Sequence, residues 1–220
     1  MASFFNLTLD TTAPAGLTLK LNNGAAYATS TSVTATIGLT DSVTTGYQMK
    51  IWGVAGAATE AEAAWATFVK SKAITLTAGD GQKTVSIKVR DDVGNETATV
   101  TAKITLDTAV PVVTITGPDK SKISKVATFN VSAFSFSANA DFTEYKIKVV
   151  PSESSLENAG TQIPVTAGST NTSGTEGGYK ADTAINVTIN GADLETASAG
   201  DGVKIVKVFV KNAAGTWSVA

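Results

Sequence analysis

An internal repeat constrains this chain more than any other feature of it. Leu9-Asp10-Thr11-Thr12-Ala13-Pro14 returns 97 positions later as Leu106-Asp107-Thr108-Ala109-Val110-Pro111. Met49-Lys50-Ile51 is answered at a spacing of 96 by Tyr145-Lys146-Ile147. The longest echo, Gly79-Asp80-Gly81-Gln82-Lys83-Thr84-Val85-Ser86-Ile87-Lys88-Val89, matches the stretch from Gly200-Asp201-Gly202 to Val210 at a spacing of 121, which Gly94 and Gly215 keep. A unit of about 100 residues is long enough to bury its own core. The chain therefore divides into an arm over 1–9, a first domain over 10–106 and a second over 107–220. The widening from 97 to 121 puts 24 extra residues in the second copy, and its Ser-, Gly-, Thr- and Asn-rich stretch over 151–182 reads as a surface excursion.

Within each copy the apolar residues alternate. Val85, Ile87 and Val89 share a face opposite Ser86 and Lys88, and Val206, Val208 and Val210 repeat that face, as strands with one buried side do. Ala98, Val100, Ala102, Ile104 and Leu106 form another such row. Thr34 to Ile37, Gln48 to Trp52, Ile74 to Thr77, Val112 to Thr116, Thr128 to Val131, Thr143 to Val149 and Ile185 to Ile189 supply further strands. Turn formers stand between them, among them Asn22-Asn23-Gly24, Gly117-Pro118-Asp119 and the two Gly-Asp-Gly triplets. About seven short strands per 100 residues predict an all-β fold of two tandem immunoglobulin-like sandwiches. One stretch departs from this. Thr59 with Glu62 is a capping-box signature, and Ala61, Trp65 and Phe68 follow at helical spacing, which predicts a short helix over 59–69. The alternative is a loop that plugs one end of the sandwich with Trp65 and Phe68.

Composition excludes whole classes of chemistry. There is no Cys and no His, so thiol nucleophiles, thiolate metal sites and His-based triads are absent from the chain's means. With 17 basic against 19 acidic residues, no electrostatic footprint for nucleic acid or an anionic membrane stands out. The start lacks the basic and apolar regions of a cleaved leader, and no apolar run approaches the length of a membrane-spanning helix. What remains is carboxylate chemistry, oxygen-ligated calcium, or no chemistry and no cofactor at all.

Trp65, then Lys72-Ala73-Ile74-Thr75-Leu76-Thr77-Ala78-Gly79-Asp80-Gly81-Gln82-Lys83-Thr84-Val85, then Lys88-Val89-Arg90-Asp91-Asp92-Val93-Gly94-Asn95-Glu96-Thr97, and finally Leu106-Asp107-Thr108 before Pro111, resemble the bacterial immunoglobulin-like repeats of surface proteins and tailed-phage virion proteins. The likeness covers nearly all of the first copy. It is weaker in the second, where Asn212-Ala213-Ala214-Gly215-Thr216 replaces the Asp-x-x-Gly-Asn turn. The resemblance implies a structural or adhesive module without catalysis. A start without a leader and only two units favour a virion component, in the capsid decoration, neck or tail, assembled in the host cytoplasm. The alternative is a bacterial cell-surface adhesin or carbohydrate-binding module.

Several single residues admit both a functional and a plain structural role. Asp91, Asp92 and Asn95, with Asp10 and Asp107 at the linkers, offer oxygens of the kind calcium takes, but no dense Asp-x-Asp-x-Asp loop is present, so hydrogen-bonded turns are the favoured reading. Glu60 with Glu62 and Glu153 with Glu157 are the available carboxylate pairs for glycoside chemistry, in segments that read as solvated. Of the aromatic residues Trp52, Trp65, Trp217, Tyr47, Tyr145 and Tyr179, the last sits in a Gly-rich polar stretch and is the candidate for a partner contact; Trp52 reads as core.

The repeat arithmetic adds a further expectation. The second copy has no counterpart of Val100 to Leu106, whereas Leu7 and Leu9 match Ile104 and Leu106 at the repeat spacing of 97. Phe4, Phe5, Leu7 and Leu9 are therefore expected to bind a partner as an added strand, either another copy of this chain or another virion protein. The alternative is that the second copy closes with fewer strands and the two phenylalanines tuck against the first.

Overall fold

The computed structural model describes residues 5–165, 168–175 and 177–219. Phe4 lies outside them. The fold is an immunoglobulin-like β-sandwich architecture, and the chain divides between Thr108 and Ala109 into two compact units, each with its own apolar core.

The first unit contains β1 (Thr18–Leu21), β2 (Tyr27–Ala28), β3 (Ser32–Gly38), β4 (Gln48–Trp52), β5 (Ala66–Thr67), β6 (Ser71–Thr75), β7 (Gly81–Arg90) and β8 (Val100–Leu106). One sheet has the order β1-β3-β6 and the other β2-β8-β7-β4-β5. Only β2 runs parallel to its neighbour, β8. The leading strand thus switches sheets, and Asn22 and Asn23 take positive φ (43° and 59°) at the switch, a conformation that asparagine tolerates better than most residues. The alternating rows meet inside: Val33, Ala35 and Ile37 of β3 face Val85, Ile87 and Val89 of β7, with Met49, Ile104 and Leu106 completing the core. Each of the larger of these side chains contributes about 1.5–3 kcal/mol by leaving water.

The helix expected over 59–69 does not form. Glu62 does accept hydrogen bonds from the N–H groups of Thr59 (3.1 Å) and Ala58 (2.8 Å), but they close a turn that leads into β5. A helix would hold Trp65 and Phe68 on one face. Here Phe68 is buried in the core, while Trp65 lies against the outer side of the sheet under Arg90 and Lys50, so extended backbone between them serves both.

The second unit contains β9 (Val113–Thr116), β10 (Val131–Ala138), β11 (Glu144–Val150), β12 (Thr161–Gln162), β13 (Ser173–Gly174), β14 (Ile185–Asn190), α1 (Gly191–Ala197) and β15 (Ile205–Lys211). One sheet has the order β14-β10-β9; in the other, β11 lies between β15 on one edge and β12 and β13 on the other. The strand expected at Thr128 to Val131 is instead a 3-10 turn at Ala127–Phe129, with β10 starting at Val131. Neither β1 nor α1 is among the elements expected from the sequence. Asn190 caps α1 by accepting from the N–H of Ala192 at 2.8 Å, and the buried Asp193 accepts from the N–H of Ser169 at 3.0 Å. Among the described residues no helix is long and apolar enough to cross a membrane.

Candidate interaction surface

The outer face of the sheet containing β7 and that of the sheet containing β15 are built alike. In the first unit the ring of Trp65 lies 4.4 Å from the Arg90 guanidinium and 5.5 Å from Lys50 Nζ. In the second, Trp217 lies 4.7 Å from Lys146 Nζ and 5.2 Å from Lys211 Nζ. Lys146 is the repeat counterpart of Lys50, and Lys211 that of Arg90. The same pair of cations therefore grips a tryptophan in each unit, although the ring comes from before β5 in one and from after β15 in the other. Such contacts contribute about 0.5–2 kcal/mol each.

Carboxylates on these faces are committed to the lysines. Glu60 pairs with Lys88 at 2.8 Å, and Glu157 with Lys146 at 2.6 Å. Glu144 pairs with Lys211 and, at 3.6 Å, with Lys146. The hydrogen bond from Lys211 holds Glu144 below the usual carboxylate range against the opposing effect of burial, and the bond to Glu157 raises Lys146. Lys148 and Lys207 reach backbone oxygens of the excursion after β11, at Glu157 (2.6 Å) and at Glu153 and Ser155 (2.8 and 2.7 Å). Of the carboxylate pairs Glu60 with Glu62 and Glu153 with Glu157, Glu60 and Glu157 thus hold loops onto sheets. Glu62 caps its turn, and it is the backbone oxygen of Glu153 that is engaged.

Asp91 closes the turn after β7. Its carboxylate accepts from the N–H of Val93 (3.0 Å), the N–H of Asn95 (2.8 Å) and Asn95 Nδ2 (2.7 Å). Burial pushes its pKa up, but the bonds from Asn95, Val93 and Gly94 outweigh burial and leave it lowered. Asn212 builds the same turn after β15, accepting from the N–H of Thr216 at 2.8 Å. Each turn also holds its own leading linker: Asn95 Nδ2 donates to the Asp10 backbone oxygen at 3.3 Å, and Asn212 Nδ2 to the Ala109 backbone oxygen at 3.2 Å. Asp107, the counterpart of Asp10, lies in the linker that follows β8. Asp92 is exposed. No group of three or more acidic side chains converges on one point among the described residues.

Tyr179 is not held out to solvent. Its ring stacks on Phe142 at 4.9 Å and meets Tyr145 edge-on at 5.1 Å, and its backbone bridges to that of Phe142. The Gly-rich neighbourhood serves this packing, since a Cβ at Gly174 would collide with the Tyr179 hydroxyl and one at Gly177 with its ring. Tyr145 is buried, Tyr47 packs against the core of the first unit, and Trp52 is half-buried on the face opposite Met49. Phe5, Leu7 and Leu9 are 86%, 87% and 86% exposed and outside any strand, so they do not tuck against the first unit.

The edges of β7 and β15 differ. β7 pairs with β4 on one side and β8 on the other. β15 pairs with β11 on one side, and no described strand lies along the other. Beside that edge a groove of about 590 Å³ is lined by the apolar Ile115, Ile123, Phe134, Ile189, Leu194 and Val206, together with Lys120, Lys122 and Lys204.

No protein-family model matches the chain, and no curated protein matches it. Three solved structures illustrate its likenesses. The fibronectin(III)-like modules of CbhA from Clostridium thermocellum are 10% identical at a TM-score of 0.47, over 92% of this chain and 90% of that one. Chitinase ChiA74 from Bacillus thuringiensis is 14% identical at 0.31, over 92% of this chain and 30% of that one. Dimeric latent PorU from Porphyromonas gingivalis is 13% identical at 0.29, over 97% of this chain and 20% of that one.

Proposed function

We propose that this chain is a non-catalytic structural component of a tailed-phage virion, acting in assembly and surface display. The observation that carries this reading is an apolar, strand-patterned segment in solvent, Phe5 to Leu9, in a chain whose second unit has, among the described residues, an unpaired edge of β15 beside an apolar groove. Exposed apolar surface of this kind marks sites of protein association. The resemblance of Trp65 to Pro111 to the immunoglobulin-like repeats of bacterial surface proteins and tailed-phage virion proteins is shared by this setting and by the adhesin reading. The polar side chains most suited to chemistry are engaged in structural bonds: Glu60 and Glu157 with lysines, Asp91 with its turn. The reading as an adhesin or carbohydrate-binding module draws less support, because the rings of Trp65 and Trp217 are covered by cations and that of Tyr179 by Phe142.

Mass spectrometry of density-purified particles from cells that carry this gene tests the proposal. The chain is expected at a fixed ratio to the capsid proteins. Its recovery only in the cell-envelope fraction would favour the adhesin reading and overturn this one.

A further inference from the structure

The free edge of β15 begins where the edge of β7 would. In the first unit Thr97 clamps that edge: its N–H donates to the Val89 oxygen (2.9 Å), and its hydroxyl accepts from the Val89 N–H (3.1 Å). Ser218, its repeat counterpart, makes the same two bonds to Val210, at 2.8 and 3.1 Å. Backbone groups alternate in direction along a strand. Val89 points its N–H and C=O to this edge, so the residues two and four positions before it do the same. In the first unit these are Ile87 and Val85, which β8 pairs; in the second they are Val208 and Val206, opposite which no described strand lies.

The side chains show the same gap. Val85 is fully buried in the first unit, while its counterpart Val206 is only partly covered. Leu19 of β1 is 8% exposed, whereas Ile115 of β9, the equivalent strand, is 45% exposed although it shares the inward face of Val113. What covers this place in the first unit is β8, through Ile104 and Leu106, 2% and 1% exposed.

The chain carries a second sequence of that kind. Phe5-Asn6-Leu7-Thr8-Leu9 aligns with Ala102-Lys103-Ile104-Thr105-Leu106, and the same Asp-Thr follows each. Its three apolar residues fall on one face at strand spacing, and all three are in solvent. We propose that Phe5 to Leu9 of one copy of this chain adds to β15 in the second unit of another copy, filling the groove as β8 fills the first unit. This deepens the assembly reading, but it does not depend on the setting being a virion.

The register follows from β7 and β8, where Gly81 faces Leu106, Lys83 faces Ile104 and Val85 faces Ala102. Carried to the equivalent positions, Phe5 faces Val206 in β15, while Leu7 faces Lys204 and Leu9 faces Gly202 in the segment that leads into β15, which would extend as strand, with Leu7 and Leu9 pointing into the groove. Thr8 then faces Val203 and Asn6 faces Ile205 on the outer side. Phe5 replaces the small Ala102, and the volume it needs is present in the open groove. The contact joins two different surfaces, so repetition yields closed rings or open filaments, and reciprocal exchange a closed dimer.

The chain has no cysteine, which permits a clean trap. Thr8 and Val203 form a non-hydrogen-bonded pair in this register, where Cα atoms stand about 4.5 Å apart, within disulfide reach. A Thr8→Cys, Val203→Cys chain held in a glutathione redox buffer is expected to give covalent dimers and larger species on non-reducing gels, with positions 8 and 203 joined in their peptide maps. Leu7→Lys with Leu9→Lys alters only exposed side chains of the isolated chain, so both units keep their far-ultraviolet dichroism. Self-association of that variant by sedimentation is expected to weaken at least roughly 100-fold, the loss of two buried leucines. A wild-type chain that sediments as a monomer at high concentration, an 8–203 link found only within monomers, or unchanged association of the double-lysine variant would each overturn the proposal. None of these outcomes bears on whether the chain is recovered in virions.

Discussion

Asp91 and Asn212 hold equivalent positions after β7 and β15 and close the same turn with different charge. The folded carboxyl of Asp91 has a lowered pKa, so it contributes stability that is present above the ordinary Asp value of about 4 and is lost as pH falls through the lower folded value. Asn212 has no such dependence. In Asp91→Asn the turn is expected to persist, because Asn212 already builds it. Urea denaturation should show a loss of about 1 kcal/mol at pH 7, the difference between charged and neutral acceptors, shrinking as pH falls below the ordinary Asp value of about 4. A loss that does not change with pH would refute this account. Asp91→Ala, which strips the acceptor from the N–H groups of Val93 and Asn95, should cost about 1–3 kcal/mol. The Asp-x-x-Gly-Asn signature makes the first turn legible in the sequence. Its neutral twin reads there as a departure, because residue identity hides a shared hydrogen-bond geometry.

At the scale of elements, the alternating rows that form β3, β7, β8, β11, β14 and β15 are readable because one face of each is buried. The helix expected over 59–69 fails for a tertiary reason: Phe68 is needed in the core and Trp65 under the cations of the outer face. Helical spacing alone cannot tell one destination from two. Trp65→Ala should therefore lose about 1–3 kcal/mol through the sheet face and its loop. Combined with either Lys50→Met or Arg90→Met, it should cost less than the sum of the two separate losses, as a double-mutant cycle would read. The loop that leaves β4 stays close to the sheet because of Gly53, whose φ is +79° and whose added Cβ would collide with the Thr84 backbone oxygen. Gly53→Ala is expected to cost more than about 2 kcal/mol by thermal denaturation, whereas Gly24→Ala, with φ of +91° and open space around it, should cost about 1 kcal/mol. Equal losses would mean that strain in the backbone, and not the close approach, is what matters.

For the whole molecule, the expected consequence of an open edge is that a strand supplied to the second unit stabilises it. Joining a second copy of Val100 to Leu106 after Ala220 through a short Gly-Ser linker should raise the melting temperature of the second unit by several degrees and abolish self-association, since the groove would be filled from within. An unchanged melting temperature would show that the groove does not accept this strand. Two levels of information meet here. The repeat, the alternation and the absence of Cys and His are local properties of the chain, and by themselves they determined the all-β class, the resemblance between the two copies and the likeness of Phe5 to Leu9 to a strand. Where a side chain goes when two destinations share one spacing is not local. Only the tertiary structure sent Trp65 outward, drew Tyr179 onto Phe142 in place of solvent, and left the edge of β15 open beside a groove, because each outcome depends on which surfaces from distant parts of the chain are already occupied when that residue packs.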